Sequence, residues 1–502
     1  MKKFILYSSL IAAAINTTGC KKVLDINNNP NASTSVTKDM LLAGSLATTA
    51  RLETTTINEL GNFWGGYWGK AYDISGTTSG ASGTAIDLIA NFTIIDNFET
   101  DIWEKSYTNI YNYTLLQQQS QASAPFYAGI AKIIKGLHYL QLVDHYNNVP
   151  FTQASDPANT KPVYDQGEEV YAGALNLISS GILDLKSSAG TVIPTTSDIF
   201  FKGDAASWIK FGNTVKLRAL LRQSQLTNKS SYITAELLKI KTEGSGFLTA
   251  DVLSNPGFTS QADNQQNPFY NIYFRNSQGV VSSMFNAVRP TRFLFSKYDA
   301  VNDPRKALIY AEATNGGGYK GVVLGQNTND VTQNATATSA FRGPAAGIIK
   351  TATSGALVFS LAESLFLQAE AAQRGWIDGT AKDFYENGIK ASFNYTGVPA
   401  TAFTAYNNQA GVAFDDASAG NKIERIISQK WLAMNSIDGG EAWNDFRRLG
   451  FPAGLPGSAS VGGGTIYPKR LRYPTSEVSS NKDQVLKQGN IDGMVNKVFW
   501  QQ

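Results

Sequence analysis

The stretch 357–375, with the sequence LVFSLAESLFLQAEAAQRG, carries a clear helical pattern. Apolar residues recur in it at intervals of three and four: Leu357, Leu361, Leu365, Ala369 and Ala372. This spacing places side chains on one face of an α-helix. Gly375 follows the last of these positions and suits the left-handed residue that commonly ends a helix. The stretch therefore predicts an amphipathic helix that packs against a core.

The same spacing recurs on both sides of this helix. Further stripes occur at Ile130, Ile133, Leu137 and Leu140, and at Ile423, Ile427, Trp431 and Met434. Asp438, followed three residues later by Glu441, predicts the capped start of a short helix that ends near Gly450. We therefore expect a mainly α-helical fold, with helices in antiparallel pairs and little sheet.

Long stretches between these helices show no helical period. They are 76–83, 255–276, 316–334 and 454–464, and they are rich in Gly, Ser, Thr, Asn and Gln. Loops of this length inside a compact body are usually functional or disordered. The sequence therefore predicts a helical fold decorated with long loops.

The composition excludes several classes of function. The 502 residues are 42% hydrophobic and 17% charged, with a formal net charge of +3, which gives no basic field for nucleic acid. Gly69 and Lys70 do not belong to a phosphate loop, because Trp64 stands where its first glycine is required. We expect neither a nucleic-acid partner nor a nucleotide cofactor. Neutral polar residues beside 22 Tyr, 26 Phe and 8 Trp suit a neutral, hydroxyl-bearing ligand.

The N-terminus has the pattern of a secretory signal. Two lysines precede a short apolar run over 4–15, and Gly19 precedes Cys20, the only cysteine in the chain. A basic start, a short apolar core and a small residue at the cleavage site are typical of signal peptides. We predict a signal peptide over 1–19, acylation of Cys20 and a polar tether over 20–38. The alternative is a soluble periplasmic protein in which the cysteine has no role.

A first candidate site is a cluster of aromatic residues interrupted by glycines. It consists of Phe63 and the four candidate ligand contacts Trp64, Tyr67, Trp68 and Tyr72. Aromatic faces bind the apolar C–H faces of sugar rings, and glycines let a ligand approach the backbone. The alternative is that Trp64 and Trp68, four residues apart, pack a helix end into the core. Both interpretations stay open, and Trp68 and Tyr72 are the better ligand candidates because they lie nearest the following loop.

A second candidate site follows four amide residues at 264–267. It consists of Phe274 and the four candidate ligand contacts Phe269, Tyr270, Tyr273 and Arg275. Amides beside aromatic rings can pair both donors and acceptors with the vicinal hydroxyls of a sugar. The alternative is a loop that buries its own aromatic residues. We expect Trp68 and Tyr72 to line one exposed concave surface together with Tyr270 or Tyr273.

The remaining polar motifs favour structural roles. Trp443, Arg447 and Arg448 have a helical spacing, which favours packing and salt bridges. His138 and His145 are about two helical turns apart, too far to share one metal ion without further ligands. The acidic pairs at 168–169 and 415–416 are adjacent in sequence and are typical of exposed acids. We expect no transition-metal site, no cofactor and no catalytic residue, whereas a calcium ion held by loop carboxylates and carbonyls stays open.

Several blocks, in order along the chain, resemble the SusD/RagB family. They are LDIN at 24–27 with NPN at 29–31, DHYNNVPF at 144–151, NDPR at 302–305, AEAAQRGW at 369–376, EAWNDFRR at 441–448 and RYP at 472–474. The ordered set is similar to the nutrient-binding, SusD-like branch of that family.

The resemblance implies a superhelix of tetratricopeptide-like helical pairs, whose long loops form a ligand-binding face, within a single domain over 39–502. It also implies an outer-membrane lipoprotein that faces the cell exterior. Such a protein binds a nutrient, here an oligosaccharide or a peptide, and delivers it to a SusC-like TonB-dependent transporter as its lid. Two alternatives stay open: a surface glycoside hydrolase that uses loop carboxylates, and a purely structural lid.

Overall fold

The computed structural model describes residues 36–326, 330–344, 346–461 and 466–501. The predicted signal peptide, the predicted acylation site at Cys20 and most of the predicted tether lie outside the described residues. Helices dominate the described chain, as the apolar spacing predicts. No helix in these ranges is long and apolar enough to cross a membrane.

The elements are numbered in chain order. The helices are α1 (Lys38–Arg51), α2 (Asn58–Trp64), α3 (Ile86–Ala90), α4 (Thr100–Ser120), α5 (Pro125–Tyr146), α6 (Gly167–Lys186), α7 (Ala205–Arg222), α8 (Ser230–Glu243), α9 (Pro268–Tyr273), α10 (Ser283–Ala287), α11 (Arg292–Ala300), α12 (Arg305–Ile309), α13 (Leu361–Gln373), α14 (Ala381–Thr396), α15 (Ala402–Asn407), α16 (Lys422–Met434), α17 (Gly439–Leu449), α18 (Thr475–Ser480) and α19 (Lys482–Leu486). A π-helix, Leu52–Ile57, joins α1 to α2. The strands are β1 (Trp68–Lys70), β2 (Val252–Ser254), β3 (Val288–Pro290) and β4 (Ala356–Phe359).

Antiparallel packing of neighbouring helices builds the scaffold, and α5 and α6 show how the sequence permits it. A side-chain carbon at Gly129 would meet the backbone oxygen of Gly181 at 2.8 Å, and one at Gly136 would meet that of Ala174 at 2.9 Å. As the residue number rises along α5, the number of the contacting residue falls along α6. The two helices are therefore antiparallel, which confirms the predicted pairing. Glycine at these crossings lets the two backbones approach closely. The predicted apolar stripe lies within α5, although that helix is buried on nearly every side rather than on one.

The helix predicted over 357–375 begins later than its apolar spacing indicates. It starts at Leu361, directly after Ser360, whose side chain accepts a hydrogen bond from a backbone N–H of the first turn. Leu357 lies instead in β4, which pairs with β2. Gly375 follows the helix with a left-handed φ of 72°, as predicted.

The buried face of α13 also differs from the predicted stripe. Leu361 and Leu365 are only half-buried, whereas Ala362, Phe366 and Ala369 are fully buried. The cause is that α13 packs against α7, α14 and α16, so that most of its circumference lies in the protein interior. A single apolar stripe does not identify the deepest face of such a helix.

Helix α17 agrees with the short capped helix that the sequence predicts. The side chain of Asp438 accepts a hydrogen bond from the backbone N–H of Glu441 at 3.0 Å, and Gly450 ends α17 with a left-handed φ of 75°. Strands are short, as predicted: β1 pairs with β3 and β2 with β4, both antiparallel. These pairs join segments that are distant in sequence.

The apolar core brings the two ends of the described chain together. One large core contains residues from Leu41 to Trp500, and a smaller one lies among α13, α14 and α16. The large core includes most of the residues of the first predicted aromatic cluster, so these residues pack inside the protein.

Candidate functional site

The first aromatic cluster lies in the core rather than on the surface. Trp64, Tyr67 and Trp68 are each at most 1% exposed. Their polar atoms are used internally: the Tyr67 hydroxyl donates to the backbone oxygen of Trp431 at 2.5 Å, and the Trp68 indole N–H donates to Ser436 Oγ at 2.9 Å. A buried ring whose polar atom is satisfied serves packing. The prediction that Trp68 lines an exposed surface is therefore wrong, and the core-packing alternative is correct for all three residues.

The glycines of this cluster also have a packing role. A side-chain carbon at Gly61 would lie 2.0 Å from the carbonyl carbon of Gly439, and one at Gly439 would lie 2.2 Å from the backbone nitrogen of Asn62. Helix α2 thus crosses the first turn of α17 with backbone against backbone, which only residues without a side chain permit. The sequence pattern predicts room for a ligand at these glycines, whereas the structure places another helix there.

The second cluster meets the first one, but it does so inside the protein. Tyr273 is fully buried, and the centre of its ring lies 5.0 Å from that of Trp68. Its hydroxyl donates to the carboxylate of Glu59. Of the two alternatives predicted for this cluster, Tyr273 is therefore excluded from an exposed surface, and Tyr270 remains. Phe269 is half-buried and lines a cavity of about 30 Å³, which has space for a few water molecules but not for a sugar ring.

A short helix, and not an irregular loop, carries the second cluster. Pro268 occupies the first position of α9, and the Asn267 side chain accepts a hydrogen bond from the backbone N–H of Tyr270 at 3.1 Å. The amide nitrogen of Asn267 donates to the backbone oxygen of Ser354 at 2.9 Å. This amide therefore caps the helix and holds the loop instead of facing a ligand. Asn followed by Pro is a helix-start signal that the sequence contains.

Three residues of this region form a small surface that we call the α9 patch: Tyr270, Phe274 and Arg275. Tyr270 and Phe274 are half-buried with ring centres 5.3 Å apart, and the exposed Arg275 guanidinium lies 5.2 Å from the Phe274 ring centre. Tyr72, also half-buried, lies on the segment after β1, where its backbone N–H donates to the oxygen of Gln333 at 3.1 Å. Of the predicted site residues, Tyr72, Tyr270 and Arg275 thus keep surface large enough to contact a ligand.

Two carboxyl groups are buried near the centre of the joined aromatic clusters. Glu59 and Glu99 are each 1% exposed, and neither forms an ion pair with another described residue. Burial raises the pKa of Glu59 to about 7, and burial, together with the nearby Glu59, raises the pKa of Glu99 to about 8. Ser82 donates a hydrogen bond to Glu99 at 2.9 Å. Both groups are sealed inside the core and have no surface at which to act on a substrate.

A buried network of ion pairs joins the long helices. Arg448 donates to both carboxylate oxygens of Glu370 at 2.6 and 2.7 Å, and Arg222 lies 2.5 Å from Glu441. All four side chains are almost completely buried, so each charge is stabilised by its partner and not by water. The pKa of the Glu370 carboxyl stays below its ordinary value, because the charge of Arg448 offsets the effect of burial. The network connects α7, α13 and α17.

The neighbouring aromatic and basic residues of α17 also serve the scaffold. The Arg447 guanidinium lies 3.5 Å from the ring centre of Trp443 and donates to the backbone oxygen of Asp144 at 2.9 Å. The Trp443 indole donates to the backbone oxygen of Pro468 at 3.1 Å. The predicted structural role of Trp443, Arg447 and Arg448 is confirmed by these contacts.

The two histidines lie in the core and are neutral at physiological pH. The Nε2 atom of His138 lies 3.0 Å from Thr49 Oγ1, and the Nδ1 atom of His145 lies 2.7 Å from the backbone oxygen of Gln141. Burial lowers the pKa of His138 to about 3 and that of His145 to about 4. Within the described ranges, no group of three or more His, Cys, Asp or Glu side chains is placed to hold a metal ion.

Two surface grooves have the size of ligand sites. One, of about 360 Å³, lies between the C-terminal ends of α8 and α13 and is lined by Trp376. The other, of about 440 Å³, lies between α1 and α4 and is lined by Thr and Asn residues and by four charged side chains, Arg51, Asp101, Glu104 and Lys105. Sequence reasoning missed both grooves, because each is built from residues of two distant segments. In the sequence, Trp376 is notable only as the last residue of the block 369–376.

Comparison with known proteins relates this architecture to one family. The family model described as "Starch-binding associating with outer membrane", of the SusD-like group, matches residues 30–474. A comparison with curated protein sequences found no match.

Solved structures share the fold at low identity. A chitin-binding protein is 23% identical with a TM-score of 0.74, over 92% of this chain and 100% of its own. A chitin-binding SusD homologue from Flavobacterium johnsoniae is 23% identical with a TM-score of 0.73, over 91% and 98%. A SusD homologue from Bacteroides fragilis is 21% identical with a TM-score of 0.74, over 93% and 100%. Because the family model covers most of the sequence and the helical fold agrees with these structures, the chain belongs to the SusD-like family of starch-binding proteins that associate with the outer membrane.

Proposed function

We propose that this chain is an outer-membrane lipoprotein that captures an oligosaccharide and delivers it to a SusC-like TonB-dependent transporter, which it covers as a lid. The match of the starch-binding family model to residues 30–474 is the observation that carries the proposal. The shared fold with two chitin-binding proteins supports a carbohydrate rather than a peptide as the ligand.

The α9 patch and Tyr72 are the proposed ligand contacts among the residues singled out in the sequence. Tyr270 has aromatic surface for the C–H face of a sugar, and Arg275 has guanidinium N–H groups for its hydroxyls. Asn264 and Gln265 are exposed next to this patch and add amide donors and acceptors. The half-buried rings are held by neighbouring aromatics, so a ligand meets a surface that is already ordered.

The anchoring part of the proposal rests on the sequence. Acylation of Cys20 would place the protein at the membrane, and the segment between Cys20 and the start of α1 at Lys38 would act as a tether. Display on the cell exterior follows from the lid role, because a lid has to meet the ligand before the transporter does.

Two arrangements of acids argue against the glycosidase alternative. Glu168 is paired with Lys229, and Asp415 lies 2.5 Å from Lys382, in both cases at the protein surface. Glycoside hydrolysis requires two carboxyl groups that face each other across a sugar. Adjacent acids that are paired with surface lysines do not present that geometry.

The test is a measurement of binding and turnover with starch and chitin oligosaccharides. Saturable binding of one of them, without release of shorter products, is the expected result. Product release would instead establish the hydrolase. If no glycan binds although the protein co-purifies with the barrel, the purely structural lid is correct.

The transporter partnership has a separate test. The protein, tagged at its C-terminus and extracted from outer membranes in mild detergent, should co-purify with a TonB-dependent barrel. Recovery without any barrel would contradict the lid role, whatever the glycan measurements show.

A further inference from the structure

Trp376 is the tryptophan that reaches the surface. All 8 tryptophans lie in the described part of the chain, and the other seven are at most 4% exposed. Trp376 is half-buried and lines the groove of about 360 Å³ between the ends of α8 and α13. Trp376 therefore presents a flat aromatic face to a ligand that enters the groove.

The walls of this groove are apolar and partly aromatic. Phe247, Ile377 and Phe384 are half-buried and line it together with Trp376. The turn after α13 is folded over Phe384: a side-chain carbon at Gly379, where φ is 106°, would lie 2.7 Å from the Phe384 ring. The groove is therefore formed by the fold itself, and its size lies within the range of small-molecule sites.

The polar groups at the groove are balanced in charge. Lys241 on α8 lies 2.9 Å from Asp378, and the pair spans the groove between its two walls. The Arg374 guanidinium is paired with Glu370 at 2.8 Å and lies 5.6 Å from the Trp376 ring centre. No net charge is left to attract an ionic ligand, whereas the ammonium and carboxylate groups can bond to hydroxyls. The complementary ligand is uncharged, with one apolar face and several hydroxyl groups.

We infer that this groove, which we call the Trp376 groove, is a second saccharide-binding site that takes one or two pyranose rings of an oligosaccharide. The inference rests on the proposed carbohydrate capture and adds a place for it apart from the α9 patch. The N-terminal side of α9 contacts the segment before β4, where Asn267 N–H donates to Ala352 O at 2.7 Å. That segment leads into the N-terminal end of α13, and the groove lies beyond its C-terminal end. Helix α13, with 13 residues and a length of about 20 Å, lies between that segment and the groove.

The experiment combines quenching of tryptophan fluorescence with calorimetry, using maltotriose and chitotriose as probes. Acrylamide should quench Trp376 selectively, because the other tryptophans are buried. Bound trisaccharide should protect the wild-type protein from this quenching. Trp376→Phe should remove the quenchable emission and keep the aromatic wall. Trp376→Ala should weaken trisaccharide binding at the groove about tenfold, since truncation removes most of the apolar contact area.

Two further variants separate the groove from the α9 patch. Tyr111→Ala removes an exposed aromatic residue of α4 outside the groove, and it should leave protection of Trp376 unchanged. Tyr270→Ala should also leave that protection unchanged while it weakens binding at the α9 patch. Selective loss in Trp376→Ala, with an unchanged melting temperature, is the result that supports the inference.

Three results would contradict the saccharide assignment of the groove, and each has a different meaning for the proposed function. If Trp376→Ala binds trisaccharide as the wild type does and only Tyr270→Ala fails, the second site is refuted and the proposed function stands. If the wild type binds no glycan by either method, the proposed function fails together with the groove. If the purified barrel, and no saccharide, protects Trp376 from acrylamide, the groove is a protein contact and the saccharide assignment is wrong.

Discussion

Replacement of Glu59 by Gln tests the central part of the core through its pH dependence. Burial raises the pKa of Glu59 from the ordinary value of 4.5 to about 7. The folded protein therefore retains a proton between these pH values that the unfolded chain has already lost. The contribution of this group to stability is fully present below pH 4.5 and is lost as the pH rises through 7. The loss amounts to about 3 kcal/mol once the buried carboxyl has ionised.

Gln is neutral at every pH, and its amide oxygen can still accept the hydrogen bond from Tyr273. Glu59→Gln should therefore gain about 3 kcal/mol of unfolding free energy relative to wild type between about pH 5 and about pH 9. The substitution should also lower the pKa of Glu99, because the charge of Glu59 is one cause of its raised value. The assay is urea unfolding, followed by the helical circular dichroism signal at intervals of pH.

Glu169→Gln is the matched control, since Glu169 is exposed on α6 and the same substitution there should change the free energy little at any pH. A difference between Glu59→Gln and wild type that is constant across the pH range would refute the reasoning. So would a difference of the opposite sign, which would mean that the Glu59 carboxylate is ionised and stabilised by its surroundings.

Three other substitutions test separate parts of the molecule. Cys20→Ala should move the protein from the membrane to the soluble fraction after a carbonate wash, and retention at the membrane would refute the lipid anchor. Trp68→Ala should destabilise the fold by about 3–5 kcal/mol in denaturant titrations, because it removes a fully buried ring; an unchanged midpoint would contradict its core position. Arg448→Met should cost about 3–5 kcal/mol by leaving Glu370 buried without its partner. Joint replacement of Arg448 and Glu370 by Met and Leu should recover part of that loss, and failure to do so would refute the pairing as the cause.

Features that depend on neighbours in sequence were predictable, and those that depend on distant partners were not. The cap at Asp438 and the glycine that ends α17 follow from residue spacing within one or two turns. The same holds for the apolar stripe of α16. Trp68 shows the limit. Its environment comes from Tyr273, Phe341 and Ser436, which lie hundreds of residues further along the chain.

The burial of the aromatic clusters does not follow from their sequence pattern, for a physical reason. Glycine beside tryptophan has the same pattern whether a sugar or another backbone approaches it. Only the position of Gly439 against Gly61 decides between the two. The Trp376 groove was not predictable because its walls come from distant segments, and neither segment has an unusual sequence pattern.

The crossing of α2 and α17 has a consequence for how the chain reaches its folded state. The Asn58 side chain donates to the backbone oxygen of Ser436, a contact between residues that are 378 positions apart. Closing a loop of that length costs about 5 kcal/mol of chain entropy before any contact is formed. The hydrophobic environment of Trp64 includes Trp443, so it is incomplete until the last part of the polypeptide has emerged. The part of the core around Trp64 therefore closes only late in synthesis, and such a delay would suit the export that the predicted signal peptide implies.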